Sequence, residues 1–209
     1  MATCALVATC DFNGQHFQAL DAAGSFEFVI AVDGGFAHLE AIDRTPDLAL
    51  GDFDSLGNVP ETVEVIQHSS HKDKSDLEIA FDHAEGQAFD RVFVYGALGG
   101  RLDHTMGSLQ MAAGFAERGM EITFIALDCA VRILVGPGRF ELPCIDRGTV
   151  SVFSARDKAF GVIEQGMEYP LDVFELTNRT TWGLSNELTG QPAFVSVEEG
   201  TLYVFYPIE

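Results

Sequence analysis

The sequence predicts an α/β protein in two parts: an N-terminal Rossmann-like parallel-sheet domain over residues 1–135, followed by a C-terminal all-β sandwich over residues 136–209. Three observations carry this. As far as about residue 130, short apolar runs alternate with helical patterns, the rhythm of repeated strand–helix units. Beyond that point the helical pattern stops, and short strand-like segments follow one another between Gly, Pro and Asn turns, a spacing that suits a small β-sandwich or barrel. Between the two regimes stands Gly136-Pro137-Gly138, a breaker that places the boundary.

In the first part "CALVAT", "FEFVIAVD", "DLALGD", "RVFVYGAL" and "EITFIAL" read as strands. Several are apolar throughout, as strands covered on both faces are. Leu77, Ala80, Phe81 and Ala84 fall at i, i+3, i+4 and i+7, the stripe of an amphipathic helix, and Ser75 with Glu78 forms a capping box at its start. A second helix runs through "LDHTMGSLQMAAGFAERG" and closes on Gly119. In the second part "VRILVG", "GTVSVFSA", "FGVIEQG", "LDVFELT" and "PAFVSVEEGTLYVFYPI" read as strands, the last as a hairpin about Glu199 and Gly200.

Composition sets the function classes. With 209 residues, 47 % of them hydrophobic, the chain buries a proper core without staples. Cys4, Cys10, Cys129 and Cys144 form no CxxC pair, which points to a reduced, cytoplasmic protein. No apolar run approaches the roughly 20 residues of a membrane span, and "MATCALVATCDF" lacks the basic region of a signal peptide, so no membrane association is expected. A formal charge of −20 argues against nucleic acid, which such a field repels. An anionic small molecule is still admissible where divalent cations stand between its phosphates and the carboxylates.

The polar residues gather at particular places. "AVDGG" (Asp33, Gly34, Gly35), "GDFDS" (Asp52, Asp54, Ser55), "DKSD" (Asp73, Lys74, Ser75, Asp76) and "GALGGRLDH" (Gly99, Gly100, Arg101, Asp103) each lie at or soon after the carboxyl end of an apolar run. In an open parallel sheet those ends share one edge, where ligands bind at the reversal of strand order. Singly, each segment has a plain structural reading as a turn, a first-turn helix charge or a surface ion pair. Turn chemistry does not, however, require acidic residues in every loop of one edge.

The chemistry implied is that of a magnesium polyphosphate. Asp52 and Asp54, two apart on an extended segment, would present hard oxygen ligands to one side. The glycines let backbone amides approach phosphates, and Lys74 and Arg101 can offset charge on a leaving phosphate. There is no GxxxxGK[ST] loop, which excludes a P-loop enzyme, and no GxGxxG after the first strand.

Taken together, "DGG", "GDFDS", "DKSDLE", "GALGGRLDH" and "GLSNEL" resemble the thiamine pyrophosphokinase (thiamine diphosphokinase) family, in the same order and at similar spacing over nearly the whole chain. The resemblance implies a homodimer and transfer of pyrophosphate from Mg·ATP to the hydroxyethyl group of thiamine, releasing AMP. It implies that Asp33, Asp52, Asp54, Asp73 and Asp76 hold metal and nucleotide, with Asp52, Asp54 and Asp73 as Mg²⁺ ligands. Gly34, Gly35, Gly99, Gly100, Ser55, Lys74, Ser75 and Arg101 would lie beside the nucleotide phosphates, and Asp103 in the same site. Tyr169 of "EYPL" would pack against thiamine, and Ser185 and Asn186 would hydrogen-bond its pyrimidine. Thiamine would sit between one chain's α/β domain and the other chain's sandwich. After the first strand the chain departs from the family pattern, reading "ATCDFNG", so Cys10 and Asp11 stand where contacts to adenine or ribose are in question. On the residues alone two rivals stay open: a Mg-dependent kinase or pyrophosphokinase of another small alcohol, and a non-catalytic nucleotide or thiamine sensor.

Overall fold

The computed structural model describes residues 1–54, 56–57, 59–60, 62–69 and 73–208. The chain divides into two compact units, Met1–Phe115 with Gly119–Leu127, and Ala116–Arg118 with the chain from Asp128 onward.

The first unit alternates strand and helix: β1 (Thr3–Val7), α1 (Gly14–Ala22), β2 (Phe28–Val32), α2 (Gly35–Glu40), β3 (Leu48–Gly51), β4 (Glu64–Gln67), α3 (Asp76–Gly86), β5 (Arg91–Tyr95), α4 (Leu102–Ala116) and β6 (Glu121–Ile125). The strands lie in the order β6-β5-β1-β2-β3-β4, and every neighbouring pair is parallel. From β1 the chain builds outward to β4, then returns to add β5 on the other flank. The strand order therefore reverses between β1 and β5, where the carboxyl ends diverge and leave a crevice. β1 is buried at every residue, as its unbroken apolar run requires. Helix α3 buries Leu77, Ala80, Phe81 and Ala84, the predicted stripe, and Ser75 caps it by accepting from the Glu78 N–H at 3.2 Å. β4 is an edge strand with Glu64 and Gln67 exposed, so it has no apolar run by which the sequence would reveal it.

The second unit holds β7 (Cys129–Val135), β8 (Gly138–Glu141), β9 (Thr149–Ser154), β10 (Lys158–Gln165), β11 (Leu171–Thr177), β12 (Asn186–Glu187), β13 (Phe194–Val197) and β14 (Thr201–Pro207). They form antiparallel ladders in the orders β12-β9-β14-β7 and β11-β10-β13-β8. Val152 and Val204 from the first set and Val162, Leu176 and Val195 from the second belong to one core.

Two expectations need correction here. The boundary falls before β7 and not after it, because β7 pairs along its whole length with β14, from Cys129 opposite Pro207 to Val135 opposite Thr201. The expected hairpin about Glu199 and Gly200 does not form: β13 pairs with β8 and β10, whereas β14 pairs with β7 and β9. The corner spends its hydrogen bonds elsewhere, Phe160 N–H donating to Glu199 O and Gly136 N–H to Gly200 O. Turn chemistry marks a reversal of direction; it does not say which sheet receives the next strand.

Candidate active site

Main-chain packing builds the crevice at the carboxyl edge of the first unit. A side chain at Gly35 would overlap the Val7 carbonyl, and one at Gly96, which has φ +64°, would overlap the Ala8 carbonyl. Gly99 rests on Asp11, whose Oδ2 lies 2.5 Å from the position a Cβ would occupy, and Gly100 faces the Cys10 sulfur. Cys10 N–H donates to Gly96 O at 2.7 Å. The loop after β1 thus lies directly against the glycine loop after β5, at the strand-order reversal. Asp11 and Cys10 therefore touch the glycine loop that follows β5.

His38, which the sequence did not single out, reaches this loop from α2. Its Nε2 lies 3.1 Å from Thr9 O and 2.9 Å from Cys10 O, and its ring stacks on Phe12 with centroids 5.2 Å apart. The helix that follows "DGG" is thereby tied to the loop after β1. No local pattern announces such a contact, since the two partners are joined only by the parallel pairing of β1 with β2.

The acidic loops sit on the same edge. Asp33 N–H donates to Leu50 O at 2.8 Å, joining the ends of β2 and β3, and Asp33 has the left-handed φ of +50° that is rare outside glycine. Strain of that kind concentrates at binding sites. Asp52 and Asp54 are not arranged as the sequence suggested. The segment is a turn: Phe53 is 2 % exposed at φ +60°, and Asp52 Oδ1 accepts from the Asp54 N–H at 3.1 Å. The two acidic residues flank a buried aromatic and are linked by that hydrogen bond, not by the two-residue repeat of a strand. Ser55 lies outside the described residues.

Asp73, Lys74, Ser75 and Asp76 open α3, on the stretch that leads from the carboxyl end of β4. Lys74 is held within its own segment, its Nζ 2.6 Å from Asp82 and 3.5 Å from Glu78, and the Asp82 hydrogen bond raises its pKa. Arg101 likewise pairs with Asp103, Nη2 to Oδ2 at 2.5 Å and Nε to Oδ1 at 3.1 Å, which holds the Asp103 carboxyl down at about 2. Both pairs are open to water, so each is weak and yields readily to a polyanion. Among the described residues no three acidic, histidine or cysteine side chains gather into a closed metal cage.

In the second unit the expected thiamine residues part company. Tyr169 is 64 % exposed, and Ser185, at φ +59°, is exposed while its N–H donates to Ser151 Oγ at 3.1 Å. Asn186 is 4 % exposed and its amide is fully engaged: Nδ2 donates to Glu164 Oε2 and Tyr169 O, and Oδ1 accepts from the N–H groups of Tyr169 and Glu187. No donor or acceptor is left for a pyrimidine. Trp182 is exposed beside Phe174, next to an open cavity of about 430 Å³ lined by Thr180, Thr181 and Trp182.

Residues 21–124 match the family model described as thiamin pyrophosphokinase, catalytic domain. A curated thiamine pyrophosphokinase of Bacillus subtilis (strain 168) is 26 % identical over 180 residues, covering 83 % of this chain and 84 % of that protein. The chain is similar to the thiamin pyrophosphokinase family. Solved members of the family share its fold. The B. subtilis enzyme superposes with a TM-score of 0.81 at 24 % identity over 99 % of both chains. The Candida albicans enzyme gives 0.79 at 16 % identity, over 99 % of this chain and 90 % of that one.

Proposed function

We propose that this chain is a thiamine diphosphokinase, moving the pyrophosphoryl group of Mg·ATP onto the hydroxyethyl oxygen of thiamine and releasing AMP. The observation that supports the reading is the strand-order reversal between β1 and β5, where the glycine loop after β5 packs on the loop after β1, with the acidic segments after β2, β3 and β4 on the same carboxyl edge. Similarity to the thiamin pyrophosphokinase family suggests the substrate class. The first unit is the proposed nucleotide module. The second, whose two antiparallel sheets share one core, is the proposed β-sandwich module for thiamine and for pairing with a second copy.

Gly34, Gly35, Gly99 and Gly100 would let polyphosphate oxygens reach backbone N–H groups. Asp52, Asp54 and Asp73 would hold Mg²⁺, which, when bound, offsets phosphate charge and orients the chain of phosphates. Asp33 and Asp76 flank the same edge. Arg101 and Lys74 exchange their carboxylate partners for phosphate oxygens and stabilise the charge that builds on the departing AMP. In-line approach of the hydroxyl to the β-phosphorus then needs positioning more than a strong base.

Incubation with ATP, Mg²⁺ and thiamine, followed by chromatographic separation of early products, tests the reading. AMP and thiamine diphosphate are expected in equal amounts. ADP in step with a monophosphorylated product would replace the reading with an ordinary kinase, and ligand binding without turnover would replace it with a sensor. Sedimentation of the purified chain is expected to give a homodimer.

A further inference from the structure

Glu164 is the least explained buried group of the second unit. It lies on β10 at 1 % exposure, beside Val162 in the common core. Oε2 accepts from Asn186 Nδ2 at 2.7 Å, while Oε1 is buried without a partner, facing Gly183 so closely that a Cβ there would stand 3.2 Å away. Burial pushes the carboxyl up to about 7. A carboxylate in such a place costs stability, and an apolar residue of similar volume would pack without that cost.

What the carboxylate does is choose the orientation of an amide. Asn186 has one donor end and one acceptor end, and it is the donor end that faces the accepting Oε2 of Glu164. With Nδ2 turned toward Glu164, Oδ1 must face the N–H groups of Tyr169, at 3.0 Å, and Glu187, at 2.9 Å. The same Nδ2 closes the loop on Tyr169 O at 2.8 Å. Both main-chain polar groups of Tyr169 are thus gripped by one side chain. Around it, Ser185 N–H is tied to Ser151 Oγ, and Gly183 O accepts from the Val152 N–H at 2.7 Å.

We propose that Glu164 is a positioning residue for thiamine: by orienting the Asn186 amide it fixes the backbone at Tyr169 and at the start of β12, so that Tyr169 and Ser185 meet the substrate in one arrangement. Asn186 then acts from beneath the surface and does not touch the ligand. This rests on the reading that Tyr169 and Ser185 contact thiamine, and the test separates the two claims.

The variants are Glu164→Leu, which keeps the packing and removes the acceptor, and Glu164→Gln, whose side-chain carbonyl can take the same hydrogen bond. Glu164→Leu is expected to raise the KM for thiamine about tenfold, the size of one lost hydrogen bond, with kcat and the KM for ATP within about twofold. Glu164→Gln is expected to restore the wild-type KM. Hydrogen exchange, which needs no turnover, is expected to show Tyr169 and Glu187 amides losing protection in the Leu variant and keeping it in the Gln variant. An unchanged thiamine KM together with unchanged protection overturns the proposal. So does an equal loss of kcat and of both KM values, or a loss of protection spread over the whole unit. If the wild type makes no thiamine diphosphate, the substrate reading fails, and hydrogen exchange alone still decides whether Glu164 orients Asn186. Should the Leu variant not fold, Asn186→Ala cuts the same link from the other side and faces the same criteria.

Discussion

The first unit shapes its proposed site with main chain and leaves the charged side chains loose, whereas the second buries a polar side chain beneath the site proposed for it. In the crevice, glycines and the left-handed residues Asp33 and Phe53 set the shape, and Lys74, Arg101 and Asp103 stand in water on weak pairs. Under Tyr169, a saturated amide and a buried carboxylate do the positioning. The difference suits the proposed ligands. A polyphosphate with its cations brings enough charge to gather loose acidic and basic groups around itself. A small heterocycle brings little, and must find its contacts already arranged.

The comparison breaks first at Gly96. Its φ of +64° and the Ala8 carbonyl beside it leave no room for a methyl group. Gly96→Ala is expected to cost more than about 3 kcal/mol, read as a lower urea midpoint, and to remove activity with it. A tolerated Ala would show that the crevice floor is not set by main-chain contact. Asp54→Asn is expected to do the reverse: activity falls about 10³-fold while stability moves by no more than about 0.5 kcal/mol, because the side chain is exposed. A matching loss of stability would give Asp54 a structural role.

Glu164 sharpens the contrast through pH. Its folded pKa of about 7 lies above the ordinary 4.5, so the folded state binds the extra proton between those values. The stability it contributes is full below the unfolded value and is lost as pH rises through the folded one, about 3 kcal/mol in all. Burial is the main cause, opposed only by the Asn186 hydrogen bond, so no charged neighbour complicates the profile. Urea melts from about pH 5 to about pH 8 are expected to show the wild type losing stability relative to Glu164→Gln. Parallel curves would place the titration elsewhere. The smallest effect is at Ser75, whose cap to Glu78 N–H is worth about 1 kcal/mol; Ser75→Ala is expected to show that loss in a melt.

Much of this was legible in the chain itself, for identifiable reasons. The five apolar strands of the first unit and the α3 stripe follow from residue spacing alone, and the clustering of "DGG", "GDFD" and "GALGG" at one edge follows from parallel pairing. β4 was hidden because an edge strand keeps polar residues. The turn around Phe53 was hidden because a left-handed aromatic has no signature in sequence. Asn186 read as a ligand contact because polarity in a loop looks the same whether it faces water or Glu164. For Asn186 the deciding partner, Glu164, lies 22 residues away along the chain.

Trp182 gives the second unit a native optical label. It is the only tryptophan in the chain, it is 67 % exposed, and it sits three residues before Ser185 with its ring 5.7 Å from that of Phe174. All indole emission therefore comes from one place, beside the residues proposed to meet the heterocycle. Titration with thiamine can be followed in the light the unmodified protein emits, without an added dye and without turnover.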